Sequence, residues 1–210
     1  MAIRVLIADD HMLIRSGLVE MLAGSEVEVV GTAATGKQAM QLAEKLKPDV
    51  VLLDVRLPEI DGLEVLDRIH QRLPQTKVII LTNYDNPTYM ARAAALGASD
   101  FLLKSVSREE LLAAIRAAAG GQAAATEGPF REIRELLTTR PEGDNKDFPL
   151  TQRELQVLRH VALGLSNKEI SRSLGISVET VKEHIQNIFR KLQVSERTQA
   201  AIWALRKSLA

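Results

Sequence analysis

The sequence predicts an α/β fold, a doubly wound five-stranded parallel sheet, followed by a small all-α module with helix-turn-helix spacing. Three observations carry this expectation. Apolar runs of strand length alternate with helical repeats over roughly the first 120 residues, the pattern of a parallel sheet wrapped by helices. One run, Val50-Val51-Leu52-Leu53, has no polar side, which suits a strand buried on both faces. From Leu150 onward the period is helical throughout.

The elements follow in order. Ile3 to Ala8 form a first strand, followed by a helix near His11 to Ala23. Val27 to Gly31 form a second strand, and a helix spans about Gly36 to Leu46 until Pro48 breaks it. The strand at Val50 ends at Asp54; a loop with Leu57-Pro58 and Asp61-Gly62 leads into a third helix that stops before Pro74. Lys77 to Leu81 are the fourth strand, and Pro87 sits in the first turn of the fourth helix, which Gly97 ends. Ser99 to Leu103 are the fifth strand. Ser107-Arg108-Glu109-Glu110 is a Ser-x-x-Glu capping box for the fifth helix, stopped by Gly120-Gly121.

Residues 122–147 read as a linker. It has an alanine run at 123–125, one short amphipathic helix carrying Phe130, Ile133, Leu136 and Leu137, and a polar turn at 141–145. Beyond it, Thr151-Gln152-Arg153-Glu154 caps a helix closed by Gly164. Ser166 to Glu169 start a short helix, Gly175-Ile176-Ser177 turn the chain, and a longer helix runs to about Leu192. A last helix spans about Ser195 to Leu209 and carries the only tryptophan, Trp203.

Bulk properties exclude several classes. The hydrophobic fraction of 46% and charged fraction of 26% are those of a globular protein. No run reaches the ~18 apolar residues of a membrane span, and Ile3 to Ala8 is too short for a signal peptide, so a cytoplasmic location is expected. With no cysteine, disulfides, thiolate metal sites and cysteine nucleophiles drop out. Net charge is zero but unevenly spread: residues 1–125 carry 13 basic against 16 acidic side chains, and residues 149–210 carry 10 against 5. A basic excess in a short segment fits a nucleic-acid contact.

Chemistry concentrates at strand ends. Asp9 and Asp10 follow the first strand and Asp54 the third, and in a doubly wound sheet these strands are neighbours. Clustered carboxylates repel, and a hard divalent cation such as Mg²⁺ relieves them with oxygen ligands. Thr82 and Lys104 end two further strands. A carboxylate nucleophile, a metal, a hydroxyl and an ammonium together describe a phosphoryl-accepting site. Singly, each residue has an ordinary reading as a cap, a satisfied hydroxyl or a solvated amine. All five at the carboxyl edge of one sheet is a poor coincidence.

These motifs carry a resemblance. Ala8-Asp9-Asp10-His11, Leu53-Asp54-Val55-Arg56-Leu57-Pro58 with Asp61-Gly62, Leu81-Thr82, and Gly97-Ala98 through Leu103-Lys104 resemble the receiver domain of two-component response regulators over residues 1–121. The resemblance implies a flavodoxin-like sheet. It makes Asp54 the phosphoacceptor, Asp9 and Asp10 metal carboxylates beside it, and the Arg56 backbone carbonyl a further Mg²⁺ ligand. Thr82 and Phe101 become a switch pair in which the hydroxyl moves toward the phosphoryl group and the ring follows; Lys104 takes a phosphoryl oxygen. Two positions depart from the pattern: Asn83 stands where a small residue is usual, and Asp100 replaces a glycine before the switch aromatic.

The second module has its own signature. Leu150-Thr151-x-Arg153-Glu154, Gly164 through Ile170, Leu174-Gly175-Ile176-Ser177 and Thr180-Val181-Lys182-x-His184 resemble the DNA-binding domain of NarL/LuxR-type regulators across 148–210. Helical spacing turns Val181, Ile185, Ile188 and Leu192 inward and leaves Lys182, Glu183 and Gln186 outward, placed for base edges in a major groove. Lys168, Ser177, Thr180, Arg190 and Lys191 are placed for phosphates. His184 is expected to be mainly structural, and the last helix resembles this family's dimerising helix.

The sequence therefore predicts a DNA-binding transcription regulator, phosphorylated on Asp54 by a sensor histidine kinase and homodimeric when phosphorylated. It would not be an enzyme beyond slow self-dephosphorylation. Two alternatives stay open. One is a Mg²⁺-dependent phosphatase or phosphotransferase, although Arg56 occupies the place of the second carboxylate such an enzyme needs. The other is a phosphorylation-independent regulator that uses the receiver only to dimerise. A dinucleotide site is excluded, because no Gly-x-Gly-x-x-Gly follows the first strand.

Overall fold

A computed structural model of the chain describes residues 2–83, 86–122, 128–138, 149–207 and 209. By compactness it divides into two units, Met1–Asn86 with Leu96–Arg131, and Pro87–Ala95 with Glu132–Ala210.

The first unit is built on β1 (Ile3–Ala8), β2 (Val27–Ala33), β3 (Val50–Leu53), β4 (Lys77–Thr82) and β5 (Asp100–Leu103), all parallel in the order β2-β1-β3-β4-β5. This is the flavodoxin-like order, with β3 central. Each residue of β3 is at most 1% exposed, as its unbroken apolar run requires. Side chains alternate across the sheet. Val5, Ile7, Val50, Leu52, Ile79 and Leu81 share one buried cluster with Leu18 and Leu22 of α1 (Met12–Leu22) and Leu111 and Ile115 of α5 (Arg108–Ala119). Leu6, Val51, Leu53 and Ile80 take the other face and are fully buried. The amphipathic helices α2 (Gly36–Leu46) and α3 (Gly62–Arg72) bury Ala39, Ala43, Leu66 and Ile69.

Local chemistry sets the boundaries. Thr35 and Asp61 cap α2 and α3 by accepting from Gln38 N and Leu63 N, and Ser107 with Glu110 forms the expected capping box of α5. β2 runs two residues beyond the expected Gly31, because pairing with β1 continues through Ile7↔Thr32 and Ala8↔Ala33.

The second unit gathers α4 (Pro87–Ala95), most of α6 (Pro129–Thr138), α7 (Gln152–Ala162), α8 (Asn167–Leu174), α9 (Val178–Leu192) and α10 (Arg197–Arg206). Its buried cluster joins Leu150, Leu155, Leu158, Ile170, Val181, Ile185, Ile188, Ala200 and Ala204, with Ala91, Ala95 and Leu137 in the same cluster. Within this unit Arg92 Nε donates to Glu169 Oε1 at 2.5 Å. Buried His160 ties α7 to α8: its Nδ1 lies 2.7 Å from the Gln156 carbonyl and its Nε2 2.8 Å from Ser173 Oγ. A carbonyl only accepts, so Nδ1 carries the proton and the Ser173 hydroxyl donates to Nε2.

The linker helix forms as its spacing predicts, with Phe130 and Leu137 each 4% exposed. The alanine run at 123–125 and the polar turn at 141–145 lie outside the described residues. The last helix is shorter than its period suggests. Ser195 N–H donates to the Gln199 side chain and Ala200 N–H to Glu196 O, so Ser195 and Glu196 act as its entry turn rather than its first residues. Among the described residues, no helix is long and apolar enough to cross a membrane.

Candidate functional site

The backbone ladder runs one residue past three strand ends, and this assembles the site. Asp54 N–H donates to Ala8 O at 2.9 Å, Asp9 N–H to Ala33 O at 3.1 Å, and Lys104 N–H to Thr82 O at 2.9 Å. The side chains that follow β1, β3 and β5 are thereby held at one edge of the sheet. Lys104 reaches across it: its Nζ donates to Asp54 Oδ2 at 2.7 Å and to Asp9 Oδ2 at 2.6 Å. All three side chains are buried, and Thr82, the last residue of β4, has no exposed surface.

The loop after β3 is folded tightly onto Asp54. Gly62 N–H donates to Val55 O at 2.8 Å, and a Cβ added at Gly62 would lie 1.9 Å from the Asp54 carbonyl oxygen. Gly36 has the same constraint, with a Cβ there 2.0 Å from Ile60 O. Only glycine permits these two backbone approaches. Arg56 is placed beside the acid, its N–H directed at Asp54 Oδ1 over a long 3.4 Å.

Asp10 is the exposed member of the group. His11 N–H donates to Asp9 Oδ1 at 2.9 Å, while His11 Nδ1 lies 2.6 Å from Asp10 Oδ1. The ligand atoms of Asp9, Asp10 and His11 all fall within 4.8 Å of one another. His11, which directly follows the two acids in the sequence, thus adds an imidazole to this cluster. Against three carboxylates stand the buried ammonium of Lys104 and the guanidinium of Arg15, which donates to the Asp9 carbonyl at 2.7 Å. The donors are predominantly carboxylate oxygens, the chemistry of a hard-metal site.

The charges feel this crowding. Burial pushes the Asp54 carboxyl above the usual carboxylate range, opposed by Lys104 and reinforced by Asp9. Burial also works against the Lys104 charge, yet its hydrogen bonds to Asp54 and Asp9 carry its pKa above the usual lysine value. Lys104 is therefore held as a cation beside an Asp54 carboxyl whose burial disfavours its charge.

Phe101 lies on β5, the partner of Ile80, and is 6% exposed. Its ring stacks on Phe130, a contact that pattern reading did not anticipate. Asp100 is buried, and its Oδ1 accepts from Phe101 N at 2.8 Å, while Asn83 is exposed.

In the helical unit Ser177 is the N-cap of α9, accepting from Thr180 N at 3.0 Å. Val181, Ile185 and Ile188 are buried and Leu192 half-buried, while Lys182, Glu183 and Gln186 are exposed. Lys182 Nζ donates to Glu179 at 2.8 Å. Lys168 and Arg190 are exposed, Thr180 half-buried, and His184 half-buried. Lys191 differs from the other bases: its Nζ donates to the buried Glu154 Oε2 at 2.7 Å, tying α9 to the capping box of α7. The Glu154 partner, 37 residues away, carries no local sequence signal.

Comparison with known proteins agrees with both halves of this arrangement. Residues 5–116 match the family model described as the response regulator receiver domain, and residues 148–204 that of bacterial regulatory proteins, luxR family. The uncharacterized transcriptional regulatory protein YhcZ of Bacillus subtilis is 38% identical over 98% of this chain and 97% of its own. The response regulator VraR of Staphylococcus aureus is 37% identical over 100% and 99%. A solved complex of the response regulator RcsB with DNA is 25% identical, with a TM-score of 0.58, covering 97% of this chain and 98% of that one.

Proposed function

The chain belongs to the two-component response regulators, pairing a receiver domain with a LuxR-type DNA-binding domain, and from that premise we propose a phosphorylation switch at Asp54. A sensor histidine kinase donates the phosphoryl group. An Asp54 carboxylate oxygen attacks phosphorus; the P–N bond of the phosphohistidine breaks, and its electron pair stays with the imidazole. The observation that carries this reading is Lys104 Nζ bridging Asp54 and Asp9 at the sheet edge.

Each side chain has a task in that step. Asp54 is the nucleophile, kept desolvated. Lys104 exchanges its bond to Asp54 for one to a phosphoryl oxygen, and Thr82 offers its hydroxyl to another. Asp9, Asp10, Asp54 and the Arg56 carbonyl would hold Mg²⁺, which when bound supplies neutralising charge to the phosphoryl oxygens. The protein turns over no external substrate; hydrolysis of its own acyl phosphate returns it to rest.

The added charge of about −1.5 to −2 favours one of two receiver conformations. The phosphorylated protein pairs with a second copy and sets two α9 helices in successive major grooves. Lys182, Glu183 and Gln186 read bases, while Lys168, Ser177, Thr180 and Arg190 hold phosphates. Regulation of transcription in the cytoplasm follows.

Acetyl phosphate with Mg²⁺ tests the acceptor by intact mass. The wild-type chain is expected to gain one phosphoryl group and Asp54→Asn none. Uptake by Asp54→Asn would move the acceptor elsewhere, and steady turnover of simple phosphate esters would favour a phosphatase. Unchanged DNA affinity after phosphorylation would favour the phosphorylation-independent regulator.

A further inference from the structure

Aromatic residues make up only 3% of this chain, yet two of its four phenylalanines meet face to face. Phe101 and Phe130 have ring centroids 5.9 Å apart and planes inclined by 25°, the one ring pair among the described residues. Both belong to the first unit, and both are nearly buried, at 6% and 4% exposure. Phe130 is the second residue of α6; the two residues after it, Arg131 and Glu132, are exposed. The ring is thus the apolar anchor of the first turn of α6.

Its seat is next to the chemistry. Ile80 pairs with Phe101 and Thr82 with Leu103, so Thr82, two residues beyond Ile80, shares a sheet face with Phe101 on the neighbouring strand. Thr82 is fully buried, so a shift of its side chain toward Asp54 must be matched by its neighbours, because close-packed interiors transmit displacement. Phe101, on that face, packs its ring against Phe130. Stacking depends on ring offset, so a displaced Phe101 loses its contact with Phe130. The stack coexists here with Asp54 held as a carboxylate by Lys104.

We propose that Phe130 is a positioning residue for the Asp54 switch: its ring holds Phe101 in the arrangement that accompanies the unmodified acid. The inference rests on Asp54 being the acceptor. Phosphorylation and the placement of the Phe130 ring are then linked, and linkage is reciprocal: what phosphorylation takes from the stack, loss of the stack returns to phosphorylation. The first turn of α6, within the same unit, is a participant in the switch.

The test uses the full chain with Mg²⁺ and acetyl phosphate, and intact mass to read the ratio of phosphorylated to free protein at steady state. Phe130→Ala and Phe130→Leu are each expected to raise that ratio about threefold, the scale of one ring stack. Phe130→Tyr keeps the ring and is expected to match wild type. In a Phe101→Ala background, Phe130→Leu is expected to change nothing further. Leucine preserves most of the apolar cover, so the prediction survives if the alanine variant folds poorly. The proposal is overturned if Phe130→Leu behaves as wild type, or if its effect persists without Phe101. A wild-type chain that takes up no phosphoryl group would instead remove the acceptor assignment, and this inference with it.

Discussion

Lys104 and Asp54 form a buried ion pair, 2.7 Å between Nζ and Oδ2, and the same ammonium lies 2.6 Å from Asp9. One cation thus serves two acids. The Asp54 carboxyl sits above the usual range because burial penalises the charge and Asp9 adds repulsion.

Asp54→Asn, which leaves Lys104 paired with Asp9, is therefore expected to stabilise the first unit at neutral pH without divalent ions. The sign follows from linkage. With the folded-state pKa above the unfolded value, the charged acid costs stability above the folded pKa. The cost fades as pH falls below both. Urea unfolding followed by circular dichroism should show the variant ahead at pH 7 and level with wild type in acid; a less stable variant at pH 7 would contradict this.

Gly62 and Gly17 make opposite predictions from the same substitution. Alanine at Gly62 drives its Cβ into the Asp54 carbonyl at 1.9 Å, so the loop behind the acid must shift. A loss of roughly 3 kcal/mol or more is expected, with phosphoryl uptake at Asp54 impaired. Gly17 lies inside α1 with nothing within 4 Å of a new Cβ, and alanine there should gain up to about 1 kcal/mol. Equal melting temperatures for the two variants would refute the close approach.

His160 sets an acid limit on the helical unit. Burial, with the nearby charges of Arg153 and Arg159, depresses its pKa from 6.5 to about 4. A depressed histidine contributes fully above the unfolded pKa, and the contribution is lost as pH falls from 6.5 toward 4. The loss approaches about 3 kcal/mol, since each pKa unit is worth roughly 1.4 kcal/mol. Trp203 is the only tryptophan and lies in this unit, so its fluorescence during urea unfolding at pH 7 and pH 4.5 reads the effect directly. His160→Gln should flatten the dependence.

Lys191 and Lys182 separate stability from recognition. Burial opposes the charge of Glu154, but hydrogen bonds from Lys191 and Thr151 hold its carboxyl below the usual range. Lys191→Ala should cost about 2 kcal/mol by leaving that acid uncompensated. Lys182 has only an exposed partner, so Lys182→Ala should leave melting unchanged within about 0.5 kcal/mol. The same change should weaken operator binding by about 1–3 kcal/mol. Calorimetry and DNA titration on both variants discriminate the roles.

What could be read from the chain was what local periodicity controls. The apolar run at Val50 to Leu53 announced a strand buried on both faces, and the Ser-x-x-Glu and Thr-x-x-Glu boxes placed two helix starts. The convergence of Asp9, Asp54 and Lys104 was legible because parallel topology sends every strand end to one edge. Contacts between distant residues were not. Nothing near Phe130 specifies the ring it meets, nothing near Lys191 names Glu154, and the need for glycine at 62 depends on a carbonyl eight residues earlier. Such pairings are set by tertiary packing, which a period of 2 or 3.6 does not encode.

Lys104 also lies 50 residues downstream of the acid it holds. During synthesis Asp54 and its acidic neighbours therefore leave the ribosome well before their counter-charge. The pocket closes only once the edge strand is seated and the ladder has run one residue past it. An incomplete chain carries the acids without the fixed cation that arranges them, so the charge balance of this edge is tied to completion of the sheet.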